Sequence, residues 1–93
     1  MVVGTVHCEL KVPWARSLKD KRSAIKGLLD RVRRKFAVAA AEVGALDEHQ
    51  RCLIGLACVA GEGYHVREVL TRALDYIGDE DALELIDYRL EIL

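Results

Sequence analysis

One proline, five aromatic residues and no CxxC pair occur in this chain, and no apolar run approaches the ~18 residues that a membrane-spanning helix needs. The absence of such a run argues against a helical membrane anchor. The opening alternates from its second residue and so lacks the basic-then-apolar order of a secretion signal, and a cytoplasmic setting is expected. Three cysteines leave at least one thiol without an internal partner, which suits a reducing compartment better than a disulfide scaffold. Apolar material is plentiful, at 52% of 93 residues. That supports one two-layer core in a single domain spanning 1–93, in a chain too short for a deep private pocket.

The net charge of −1 hides a separation along the chain. Lys11 to Lys35 holds ten basic residues against Asp20 and Asp30, a local +8, whereas Asp75 to Leu93 holds seven acids against Arg89, a local −6. Such asymmetry points to a basic surface for an anionic partner, or to opposite charges meeting within the fold or between subunits.

Val2, Gly4, Val6, Cys8, Leu10 and Val12 alternate with more polar neighbours, the period of a strand with one buried face, and Pro13 ends it. Ser17 followed by Asp20 is a helix start, since the hydroxyl accepts an orphan amide and the carboxylate suits the positive end of the dipole. From there Leu18, Ile25, Leu28, Leu29, Val32 and Phe36 fall within an arc of roughly 100°. Ala37 to Val43 reads as a second strand, and Gly44 to His49 as a polar connection. Cys52 to Ala60 is apolar on both faces, as in a central strand. Gly61 and Gly63 break it, a second amphipathic helix runs from Val66 to Ile77, and Gly78 and Asp79 close that helix. Ile86, Tyr88, Leu90 and Ile92 alternate with Leu85, Asp87, Arg89 and Glu91 as a last strand. The order β-α-β-β-α-β predicts an α+β, ferredoxin-like domain, a four-stranded antiparallel sheet in the order 4-1-3-2 with both helices on one face.

The segment Ala15-Arg16-Ser17-Leu18-Lys19-Asp20-Lys21-Arg22, with the opening Met1-Val2-Val3-Gly4 and the later Ala41-Glu42-Val43-Gly44 and Gln50-Arg51, resembles the YlxP-like family of small bacterial proteins of unknown function. The resemblance covers almost the whole chain. It implies a ferredoxin-like fold and a bacterial cytosolic setting. Members of that family often lie in gene clusters with translation initiation and ribosome-maturation factors, which implies a connection to RNA or to the small ribosomal subunit. It brings no catalytic residues.

The first helix carries the main candidate site. With Ile25 at the centre of the buried arc, Lys19, Arg22, Lys26 and Arg33 lie together on one flank, roughly 60° to 120° away and spread over about 21 Å of helix axis. A stripe of this kind can bind phosphates; its alternative is a solvated face with weak internal ion pairs. Arg16 and Ser17 at the helix start add a second place for an anion, and Trp14 in the preceding loop either stacks on a base or covers the core's edge. The other face of the sheet would carry Val3, Thr5, His7, Leu53, Gly55, Ala57 and Val59, with no Phe, Tyr or Trp on which RNA bases could stack. That face is apolar enough to need a cover, and a second copy using Val3, Thr5, Leu53, Ala57 and Val59 is the economical one.

No metal, cofactor or catalytic constellation is expected. Cys52 and Cys58 are roughly 20 Å apart along one strand, His7 and Cys8 point to opposite faces, and all three thiols suit buried positions. His49 and His65 read as solvated or capping groups. Asp79, Glu80, Asp81, Glu84 and Asp87 read as a charged turn and strand edge before they read as a cation site. The expectation is a non-enzymatic protein associated with RNA. A self-associating interaction module, in which the basic helix meets an acidic surface such as Asp79 to Glu91, is the alternative. A ligand sensor built at a subunit interface is less well supported, because no convergent polar pocket is visible.

Overall fold

The computed structural model describes all of residues 1–93. Its elements are β1 (Val2–Lys11), α1 (Leu18–Lys35), β2 (Ala39–Gly44), β3 (Arg51–Ala60), α2 (Gly63–Gly78) and β4 (Glu84–Ile92). The strands form one antiparallel sheet in the order β2-β3-β1-β4, which is the expected 4-1-3-2 arrangement counted from the other edge. This is the α+β, ferredoxin-like fold.

Period-two alternation dictates the core. Val6, Cys8 and Leu10 of β1 and Cys52, Ile54, Leu56 and Cys58 of β3 are buried beneath Ile25, Leu28 and Val32 of α1 and Val66, Leu70 and Ile77 of α2. Gly4 sets how closely α2 approaches: a Cβ there would overlap Val66 Cγ1 and lie 2.8 Å from Leu70 Cδ1. The glycine is present because the helix occupies the space of a side chain.

Three local features differ from the sequence reading. The register between β1 and β4 shifts at Glu9/Leu10, so Ile86 is the extra residue of a bulge. Leu85 packs against the core in its place, and Ile86 stands 45% exposed. Helix α2 begins at Gly63, three residues before the first apolar position, because the pattern does not register an opening turn that faces solvent. Gly78 is the last residue of that helix and not its left-handed terminator; Asp79 caps it at φ −86°, and the one positive φ in the chain belongs to Ala45, at 56°.

The side chain that joins the two layers at one end is Lys21, fully buried although charged. It extends the apolar arc of α1, one turn before Ile25, and its Nζ lies 3.0 Å from Glu42 Oε2 on the inner face of β2. The ammonium also donates to the carbonyl oxygens of Ala45, at 2.7 Å, and of Arg51, at 3.1 Å. All three of its protons thereby find acceptors, the condition for a buried ammonium to remain charged. The acceptors belong to β2, to the β2–β3 connection and to the start of β3, so this one group holds α1 against the whole hairpin.

Removing the ammonium leaves Glu42 and two carbonyls short of a donor, and Lys21→Met is expected to lower unfolding stability by about 3 kcal/mol. Lys21→Met/Glu42→Leu should recover part of that loss, as measured by urea denaturation. Gly4→Ala should cost about 1–3 kcal/mol in the same assay through overpacking against α2.

Candidate functional site

Helix α1 divides into a buried arc, a fixed flank and a free flank. On the free flank Lys19, Arg22 and Lys26 are exposed, and no carboxylate forms an ion pair with any of them. Arg16, just before the helix, is exposed and likewise unpaired. Arg33 belongs to the same stripe but is tied down. Its guanidinium donates through Nε, at 3.1 Å, and through Nη2 to the carbonyl of Ala40 on β2, and its Nη1 meets Asp30 Oδ1 at 3.3 Å. The structure therefore keeps Arg16, Lys19, Arg22 and Lys26 together as unpaired cations and sets Arg33 apart.

The acidic tail neutralises little of the helix. Of the carboxylates from Asp79 onward, Glu80 alone pairs with α1, accepting from Arg31 Nη2 at 2.7 Å. Arg31 also donates to Tyr76 Oη at 3.2 Å, and both partners raise its pKa. Lys35 sits 5.4 Å from the Tyr76 ring centroid, and Phe36 packs edge-on against the same ring. The C-terminal half of α1 is thus tied to α2 and its C-terminal cap region, and the N-terminal half keeps its exposed cations.

The helix start is already occupied. Ser17 Oγ accepts from the amide of Asp20 at 3.1 Å, and Asp20 Oδ2 accepts from the amide of Arg16 at 3.0 Å. A carboxylate of the chain itself therefore takes the place an external anion would use, and Ser17 serves as the N-cap. Trp14 is 49% exposed and its indole donates to the carbonyl of Ala82 at 2.7 Å, which fixes the ring against the loop before β4. Gln50 holds the β1–α1 loop that carries Trp14, donating to the carbonyls of Pro13 and Ala15.

The face of the sheet opposite the helices has no cover within the chain. Thr5 lies across from Ala57, Val3 from Val59 and Glu9 from Leu53, which puts Val3, Thr5, Leu53, Ala57 and Val59 on one surface. Along β4 that surface turns polar: Asp87, Arg89 and Glu91 stand beside Glu9, His7 and Thr5. Glu9 is balanced by Arg51, 2.7 Å away, and Arg89 by Glu91 at 2.7 Å.

Cys8, Cys52 and Cys58 occupy the opposite, inner face as small buried groups. Burial pushes the thiols of Cys8 and Cys52 up to about 12, aided at Cys52 by the Glu42 carboxylate 3.5 Å away, and raises Cys58 as well. Such thiols are poor nucleophiles and poor metal ligands.

All three thiols should therefore be silent to Ellman's reagent at pH 8 in the native protein and react once urea unfolds it. An acid whose pKa is higher in the fold than in the open chain contributes stability below the open-chain value, near 9, and loses it above. Denaturation midpoints should accordingly fall from pH 9 upward, a decline removed in part by Cys8→Ala.

Over residues 3–90 the chain matches the family described as a protein of unknown function, DUF503. It is 34% identical over 90 residues to the uncharacterized protein YlxP of Bacillus subtilis (strain 168), an alignment covering 97% of this chain and 98% of that one. The chain therefore belongs to the DUF503 family, the YlxP-like proteins of unknown function.

Proposed function

We propose that this protein is a non-enzymatic, cytosolic RNA-associated factor that holds structured RNA, such as that of the small ribosomal subunit, by its phosphates. The observation that carries the reading is the unpaired cluster of Lys19, Arg22 and Lys26, with Arg16 beside it, in a chain whose net charge is −1. Exposed cations that face no carboxylate attract a polyanion without first breaking an internal pair, and release of its counterions supplies the free energy. Arg33 contributes only the N–H groups it does not spend on Ala40 and Asp30. The uncovered sheet face presents no Phe, Tyr or Trp, so base stacking adds little to the contact, and sequence specificity is low.

Lys19, Arg22 and Lys26 span two turns, about 10 Å of helix. Three phosphate contacts give a log–log salt slope between about −2 and −3, at ~0.7 per contact to unpaired strands and ~0.9 to a duplex. Fluorescence anisotropy with fragments of 16S ribosomal RNA over a salt series should show that slope. Lys19→Glu/Arg22→Glu/Lys26→Glu, with its helix content verified by circular dichroism, should abolish binding, whereas Arg33→Gln should reduce it less. Equal affinity of the wild type and the triple variant, or a flat salt response, refutes the proposal. Quenching of Trp14 on binding would add that indole to the contact surface.

A further inference from the structure

We propose that the uncovered face of the sheet is a homodimer interface, on which two copies pack face to face about a two-fold axis running across the strands. The inference is independent of RNA binding, since it uses the opposite side of the molecule.

The strand registers carry it. One row across this face reads Ala39, Ala57, Thr5, Glu91, and the adjacent row reads Ala41, Gly55, His7, Arg89. A two-fold axis lying between these rows, perpendicular to the strands, lays each row of one copy on the other row of its mate. Alanine then meets alanine on β2, and on β3 Ala57 meets Gly55, over which the half-exposed Val43 side chain leans, 3.3 Å from where a Cβ would stand. On β4, Arg89 meets Glu91 of the second copy and Glu91 meets its Arg89. The two internal Arg89–Glu91 pairs, each 2.7 Å, stack head to tail into a ring of four alternating charges. One row further out on either side, Leu53 faces Val59, which is 57% exposed in the single chain.

The alternative axis, parallel to the strands, would set the charges of β4 over the alanines of β2, where no charge of the second copy answers them. The same charges that make this face unsuitable for a wholly apolar partner complement one another under the first operation. Sheets packed face to face lie about 10 Å apart, a spacing that the small side chains at the centre of this face allow. Strands of ten, ten, nine and six residues, at about 4.8 Å spacing and about 3.3 Å per residue, give a face of roughly 550 Å², so pairing removes about 1,100 Å² in total, just above the ~1,000 Å² that a specific interface should clear. In this dimer each α1 helix faces outward on its own side, and the two basic flanks remain open.

Sedimentation velocity from ~1 to ~500 µM should show a species of twice the 10.4 kDa chain mass. Ala57→Glu, at the centre of the face, and Val59→Lys, at an already exposed position, should each give a monomer with an unchanged circular dichroism spectrum. Arg89→Glu should raise the dimer dissociation constant on the order of tenfold at low salt, and Arg89→Glu/Glu91→Arg should restore it, because the swap re-creates opposite charges across the axis. A wild type that stays monomeric throughout overturns the proposal. So does a dimer that survives both Ala57→Glu and Val59→Lys, since its contact then lies elsewhere. Insensitivity to Arg89→Glu overturns the placement of the axis.

Discussion

A single ammonium group, that of Lys21, connects the layers of this fold at one end of the sheet. Two helices on one face of a sheet are held mainly by non-directional burial, which fixes the distance between layers more firmly than the angle of a helix across the strands. Lys21 supplies the direction. Its acceptors lie on β2, on the β2–β3 connection and on the first residue of β3, so the helix cannot slide along the hairpin without stranding a charge away from water. The left-handed backbone of Ala45 turns one of those carbonyls toward the ammonium, and a local conformational cost is met by a contact that only the assembled fold can make.

This changes the meaning of the ARSLKDKR segment. Half of its side chains support the framework: Ala15 is buried, Ser17 caps the helix, Asp20 closes the cap, and Lys21 locks α1 to the hairpin. Arg16, Lys19 and Arg22, interleaved with them, point outward. The framework residues between them give Lys19 and Arg22 a fixed helical backbone, so the spacing of these two cations is built into the fold.

Much of the architecture is written in periodicity. The alternation in β1 and β3 and the arc of α1 follow from which side chains must leave water, and the structure places them accordingly. Lys21 was legible by the same rule, because its angle falls inside the apolar arc of α1 and Glu42 takes an inward position on β2; attention to the sum of charges on the helix conceals it. The bulge at Ile86 and the opening turn of α2 leave a weaker trace, since each depends on pairing with a partner strand or on contact with solvent. Arg33 illustrates the limit for the candidate site. Its angle matches that of Lys26, and only the position of β2 reveals that it reaches the Ala40 carbonyl. The exposed state of the remaining cations depends in turn on where β4 lies, because the acids of the tail are placed on the far edge of the sheet and in the turn before it, with Glu80 the one that reaches α1.

The grip of Arg33 on Ala40 also bears on the protein's behaviour among crowded neighbours. β2 is an outermost strand, and free backbone acceptors on such a strand invite foreign chains to add themselves. A guanidinium seated on one of those acceptors obliges an intruding strand to dislodge a charged donor before it can zip on. The rim nearest α1 is thereby guarded against runaway polymerisation by a side chain whose position on the helix wheel would assign it to ligand capture.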